Sequence, residues 1–419
     1  MTGAEQSSPR GVDAGGDPDR GAGLTRGWVL VGSYAAVAGA SQLLWLTYAP
    51  VTTAAAHHYG VSVTAIGWLA NVFPLLYVVL AVPAGLALDR WPRPALAVGA
   101  LLTALGGVVR LGGDGFGWAL VGQLMVAVAQ PLVLNAITGV VGVLPARSRP
   151  TGIAVGSAGL FLGMVLALGA GAVVGGDHLV ALATGQAVLG VLVTVVFLVV
   201  QRRAPAPVDT HVAAAEEAGL RGVWTDPILR RIAVLAFLGF GVFVALITWL
   251  QALLEPRGIS ESAAGAIITA AVAVGAVGST ALSAVLEGRS VEVTLLRSAL
   301  IGAVAGCCLL AAASGLVLAT VGTMIAVLAM LTALPWLLAL CERRSAGSVA
   351  SATALLWLAG NLGGLVVAVA VGGLVDQPTV AFLLLAVVAL IGLPLVRRDR
   401  LIGDQPVAGS LALSPEQGR

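Results

Sequence analysis

Twelve apolar stretches divide this chain of 419 residues, and most are near or above the length needed to cross a lipid bilayer. They run near 27–56, 63–88, 94–112, 116–144, 151–175 and 179–200 in the first half. In the second half they run near 231–254, 261–286, 294–313, 315–341, 348–374 and 379–396. A helix rises about 1.5 Å per residue, so about 20 apolar residues cover the hydrocarbon core. Some breaks are faint: near Ser314 no charge separates the ninth stretch from the tenth. The chain is 58% hydrophobic and 10% charged, whereas a soluble domain carries about 25% charged residues. The pattern predicts an all-α, multi-pass membrane protein with twelve transmembrane helices.

The stretches fall into two sets of six around a polar connector, Gln201 to Arg230, which holds Pro205, Pro207, Glu216, Glu217 and Arg221. Two related bundles joined by a central loop is the layout of a secondary transporter. The expected organisation is a disordered tail over 1–26, a bundle over 27–200, a linker over 201–230, a second bundle over 231–398 and a tail over 399–419. The first tail lacks the basic segment and short apolar core of a cleaved signal peptide, so the first helix is expected to stay in the membrane. Arginine bias sets the orientation. With both termini inside, 20 of the 22 arginines are cytoplasmic, and only Arg110 and Arg257 fall outside. There is no lysine, as in chains from high-GC genomes, and the expected location is the inner (plasma) membrane of a bacterium. A net charge of +2 offers nothing to nucleic acid. Nothing in the Gly-rich helix faces demands a dimer, and a monomer in lipid with a small-molecule substrate is the expectation.

Between the second and third stretches stands Gly85-Leu-Ala-Leu-Asp89-Arg90-Trp-Pro-Arg93. Gly85 would permit close helix approach, and Asp89 at a helix end can pair with arginine or cap a neighbouring helix. Such a loop can hold one conformer and release another. The spacing resembles the G-x-x-x-D-R-x-x-R signature of the major facilitator superfamily. That resemblance implies two six-helix bundles working by alternating access, with Gly85, Asp89, Arg90 and Arg93 as a conformational latch. The corresponding place in the second half, Glu287-Gly-Arg289, is only a faint echo.

No acidic residue lies at mid-membrane; all 20 map to tails, loops or segment ends. His57, His58, His178 and His211 also map to loops, the first two in a short hinge at 57–60. Proton-coupled carriers place such groups in the bilayer interior, so facilitated diffusion is the simplest expectation. The groups left inside are neutral or aromatic. The first half offers Gln42, Trp45, Thr47, Tyr48, Asn71, Gln123 and Gln130; the second offers Phe243, Thr248, Trp249, Gln251, Trp336, Trp357 and Asn361. Trp45 and Trp357 lie far from the interfacial belt where tryptophan is common, unlike Trp28, Trp118 and Trp224. A cation over a desolvated indole gains roughly 0.5–2 kcal/mol. A tryptophan- and glutamine-lined cavity without carboxylate suits a small organic cation or a bulky neutral molecule. Packing between helices is the alternative for each aromatic.

Trp45-Leu-Thr-Tyr48, then Tyr59-Gly60-Val61 and Trp68-Leu69, resemble the opening of the feline leukaemia virus subgroup C receptor-related family. Gly122-Gln123 and Ala129-Gln130 are similar to its fourth helix, and Ala354-Leu-Leu-Trp357 with Asn361-Leu-Gly363 to its eleventh. Arg110 stands where that family has a lysine. The resemblance implies transport of choline and ethanolamine, with haem also attributed to the family. It places Trp45 as the aromatic wall for an ammonium head, with Gln130 beside it. Thr47 and Asn361 replace glutamines, and the seventh-helix aromatic falls on Phe243 or Val244.

The expected substrate-binding set is therefore Trp45, Gln42, Tyr48, Gln130, Asn71, Phe243, Trp249, Trp357 and Asn361. A drug or secondary-metabolite exporter and a non-transporting membrane receptor are the alternatives. Ser157, Ser279 and Cys308 have no base at membrane depth, so an enzyme is not expected. No Walker loop, metal-ligand spacing or cofactor motif appears, and Cys307, Cys308 and Cys341 read as small apolar packing residues.

Overall fold

The computed structural model describes residues 18–145, 148–204, 225–285, 291–344 and 349–397, and they form helices without strands. The elements are α1 (Pro18–Trp45), α2 (Thr52–Tyr59), α3 (Val63–Arg90), α4 (Pro92–Val109), α5 (Phe116–Leu134), α6 (Ile137–Val141), α7 (Arg149–Val174) and α8 (Leu179–Arg203). The second half continues with α9 (Pro227–Leu254), α10 (Glu261–Val285), α11 (Glu292–Ala311), α12 (Leu316–Arg344), α13 (Val349–Gly372) and α14 (Pro378–Gly392). Among the described residues twelve spans are long and apolar enough to cross a membrane, α1 and α2 together making the first. The faint ninth break is real: α11 stops at Ala311 and α12 starts at Leu316. The expected hinge at 57–60 is shorter, because α2 carries His57 and His58 in its last turn and only Gly60, at φ 63°, leaves the helix. Those histidines are helical but exposed. The fourth stretch divides at Asn135, after Pro131.

Local chemistry sets the helix ends. The Ser62 hydroxyl accepts the Ala65 amide, and the Asp226 carboxylate accepts the Ile228 and Leu229 amides. These are side-chain N-caps, satisfying donors that the first turn cannot. Proline opens α4, α9 and α14, where its missing N–H removes nothing.

Small residues let the backbones touch. A Cβ on Gly106 of α4 would come within 2.6 Å of the Gly122 carbonyl oxygen of α5, and Gly306 of α11 repeats this against Gly322 of α12 at 2.6 Å. Gly163 of α7 crosses Gly39 of α1 as Gly363 of α13 crosses Phe237 of α9. In lipid, packing of this kind holds helices together, and its repetition relates the two bundles. The first bundle packs α1 against α7 and α8, and α5 against α3 and α4; the second packs α9 against α13, and α12 against α10 and α11. Between bundles, α7 meets α10 and α3 meets α13. The first and seventh spans are 78% buried, against 28–50% for the others. These two are therefore interior, and the rest turn a face to lipid. The expected disordered tail over 1–26 is shorter, because α1 already begins at Pro18; residues 1–17, the second tail, most of the linker, and Glu287-Gly-Arg289 lie outside the described residues.

Candidate functional site

The interior spans meet across a cavity of about 1110 Å³, its open mouth included. From the first bundle, α1 brings Gln42 and Trp45, α3 brings Pro74, α5 brings Gln130, and α7 brings Phe161 and Met164. From the second, α9 brings Phe240 and Phe243, α12 brings Met330, and α13 brings Trp357 and Asn361. No lining residue is charged. The lining continues along Leu235, Leu296, Leu300, Leu337 and Val396 toward the end that carries the start of the first span and the end of the twelfth. Aromatic edges organise the second-bundle wall. Phe240 lies 5.6 Å from Trp357 at 82° and 6.2 Å from Phe243 at 66°, the edge-to-face geometry that ring quadrupoles favour. Asn361 donates to the Trp357 carbonyl at 2.9 Å, which holds one amide hydrogen. Trp45 donates its indole N–H to the Ala70 carbonyl at 2.9 Å and tilts over Phe73 at 6.0 Å.

The cavity closes at the opposite end. Trp249 of α9 is 1% exposed, and its indole donates to the Ala368 carbonyl of α13 at 2.7 Å. Its ring fills the space left by Gly67 on α3 and Gly372 on α13. Beside it, Thr53 of α2 bonds Gln251 of α9, at 3.2 Å through its backbone amide, and Glu255 just beyond the end of α9. Every residue of α9 from Gly241 to Leu254 is buried. The seal thus joins the first and seventh spans and the second and eleventh.

Of the residues singled out in the sequence, Gln42, Trp45, Gln130, Phe243, Trp357 and Asn361 converge on the cavity. Tyr48, Asn71 and Trp249 stand outside the lining. Tyr48 meets the Tyr59 hydroxyl at 3.3 Å, Asn71 is 1% exposed, and Trp249 belongs to the seal. Phe161 and Phe240 line the cavity without having been singled out; helical spacing from Trp45 and Phe243 says nothing about which aromatic faces a partner bundle. Trp336 is packed in the core near Ile232 and Leu340.

Arg110 departs from expectation. It stands at the end of α4, yet it is 3% exposed and hydrogen-bonded inside the first bundle. Where α3 passes into α4, Arg93 of α4 donates to the Ala204 carbonyl at the end of α8 at 2.7 Å, and Arg90 of α3 lies 5.1 Å over the Trp91 ring. A Cβ on Gly85 would meet nothing within 4 Å, so no helix approaches it closely here, unlike the expectation. The Asp89 side chain lies outside what is described.

Comparison with known proteins agrees with this architecture. Residues 30–368 match the Major Facilitator Superfamily. Human choline/ethanolamine transporter FLVCR2 is 32% identical over 114 residues, 26% of this chain and 22% of that protein. Solute carrier family 49 member A3 of Xenopus tropicalis is 24% identical over 266 residues, 57% of this chain and 54% of that protein. The matched stretches thus span about a fifth and about half of these relatives. Among solved structures, an inward-facing, unoccupied bacterial homolog of the human lysosomal transporter Spinster superposes with TM-score 0.66 at 17% identity, covering 90% of this chain and 96% of that one. The nucleoside transporter NupG superposes with TM-score 0.69 at 11% identity over 88% of this chain and 98% of that one. With this fold, this cavity and a family match across most of its length, the chain belongs to the Major Facilitator Superfamily of membrane transporters.

Proposed function

We propose that the chain is a facilitative carrier of a small organic cation of the choline or ethanolamine class. The observation that carries this reading is a cavity walled by Trp45, Phe240, Phe243 and Trp357, with the amides of Gln42, Gln130 and Asn361 and no charged group. A quaternary ammonium is weakly hydrated and binds aromatic faces rather than needing a counter-ion, while a hydroxyl or amine head can bond the glutamines. The Gln42 and Gln130 side chains make no hydrogen bond to another described residue, so their donors and acceptors remain for cargo. The 32% identity to the choline/ethanolamine transporter FLVCR2 over 114 residues supports the same reading.

Alternating access supplies the mechanism. With the termini in the cytoplasm, the seal at Trp249, Gln251 and Thr53 closes the outer side and the cavity opens inward. Rocking of the bundles would part that seal and close the apolar mouth around Leu296, Leu337 and Val396. The absence of an intramembrane carboxylate in the lining supports movement down a gradient. The apolar mouth favours a second reading, export of an amphipathic drug or secondary metabolite.

The test is uptake of labelled choline by proteoliposomes of purified protein, with and without a pH gradient. Saturable uptake that ignores the gradient supports the carrier reading. No uptake, beside flux of an amphipathic cation, transfers the assignment to the exporter. Ligand binding without any counterflow would mean a receptor.

A further inference from the structure

The first span breaks where it reaches the cavity. α1 ends at Trp45, a turn covers Leu46–Tyr48, and a 3-10 turn at Ala49–Val51 leads into α2. Pro50 has no N–H, so the Leu46 carbonyl takes the Ala49 amide at 3.2 Å instead of a partner four residues on. The Ala49 amide is thereby lost to the Trp45 carbonyl. The carbonyls of Leu44 and Trp45 are left at a buried helix end, which must find other donors.

Two side chains from other helices meet them. Arg110 donates one arm to the Leu44 carbonyl at 2.8 Å and the other to the Thr47 hydroxyl at 2.7 Å. Gln123 of α5 donates to the carbonyls of Leu44 at 3.3 Å and Trp45 at 3.1 Å. The Thr47 hydroxyl in turn donates to the Gln186 side-chain oxygen of α8 at 2.5 Å, and the Arg110 guanidinium carbon stands 5.9 Å over the Tyr48 ring. Thr47, Arg110, Gln123 and Gln186 are each at most 4% exposed. A buried guanidinium is costly alone, and no carboxylate is hydrogen-bonded to it among the described residues. Its compensation is the negative end of α1, where aligned peptide dipoles place about half an elementary charge.

We propose that Arg110, aided by Gln123, is the positioning residue for the cavity face of Trp45. The guanidinium grips the severed end of α1 one residue before Trp45, and Gln123 grips Trp45 itself. Together they fix the backbone from which the indole reaches the Ala70 carbonyl and presents its face to the cavity. Arg110 touches no cargo and acts through Trp45; the proposal rests on reading Trp45 as a cargo contact.

The experiment uses full-length protein labelled with 5-fluorotryptophan, with fluorine resonances assigned by Trp45→Phe and Trp357→Phe. In Arg110→Gln the Trp45 line is expected to shift or broaden while the Trp357 line holds. Arg110→Lys, which keeps charge but replaces the planar two-armed fork with a single nitrogen, should fall between. The apparent KM for choline uptake should rise about tenfold in Arg110→Gln and rise no further when this change is added to Trp45→Ala. A Trp45 line unmoved in folded Arg110→Gln, or KM effects of the two changes that multiply, overturns the proposal. If Arg110→Gln does not fold, Gln123→Met carries the same test, because it removes the donor to Trp45 at little change of volume. A shifted Trp45 line in a variant series whose wild type ignores choline would support the clamp and sink the choline reading.

Discussion

Replacing Gly67 by alanine should unseat the seal at Trp249. A Cβ built on Gly67 lies 2.5 Å from Cζ3 of Trp249, and closer still to Cζ2 and Cη2. The ring cannot retreat, since a Cβ at Gly372 on its other side would already stand 2.6 Å from Cζ2, and the indole N–H is tied to Ala368. Overpacking a tight site typically costs about 1–3 kcal/mol. That cost falls only on the conformer in which α3 and α9 are pressed together, so it shifts the balance between conformers about 5–150-fold toward the one in which this end is open. Spin labels on His58→Cys and Ser262→Cys, in a background without Cys307, Cys308 and Cys341, would report the distance between bundles at the sealed end. Both positions are exposed. Gly67→Ala should add a longer-distance population; Gly117→Ala, where a Cβ meets nothing within 4 Å, should not. Identical distance distributions for wild type and folded Gly67→Ala would refute the wedge.

Other expectations concern the cavity and the bundle. Trp45→Ala should reduce choline flux at least tenfold, by loss of a cation–aromatic contact of roughly 2 kcal/mol, whereas Trp28→Ala should leave flux near wild type; equal effects would make Trp45 a packing residue. Trp357→Ala should raise the apparent KM, since Phe240 loses its edge-on partner as well. Gly163→Val drives a side chain into the Gly39 backbone, whose Cα would be 2.7 Å from the new Cβ; thermal melting in detergent should drop sharply, by more than for Gly139→Val, which has open space.

Particular residues show how far the sequence reaches. The twelve spans are legible because hydrocarbon thickness is a one-dimensional constraint, read residue by residue along the chain. Even the uncharged break between the ninth and tenth spans follows from composition, for Gly315 and Ser314 interrupt the apolar run where α11 ends. Central placement also found Trp45, Trp357 and Gln130, since polar or amphipathic groups at mid-bilayer need a reason to be there. It equally selected Trp249, Tyr48 and Asn71, which the same criterion cannot separate from cavity residues.

What divides those two groups is which side of each helix turns toward the opposite bundle, and depth along the span carries no such information. Trp249 became a wedge because glycines on α3 and α13, far from it in sequence, leave room for its ring. Arg110 sat at a segment end and so read as an outer loop residue; its acceptors lie 63 and 66 residues away, on a helix end exposed by a break around Pro50. Composition and spacing along the chain set the number of spans, their grouping and the neutral chemistry available inside. Which of those groups meet in one cavity and which seal it emerges from the packed fold, because that depends on helix rotation and on contacts between bundles that share no local signal.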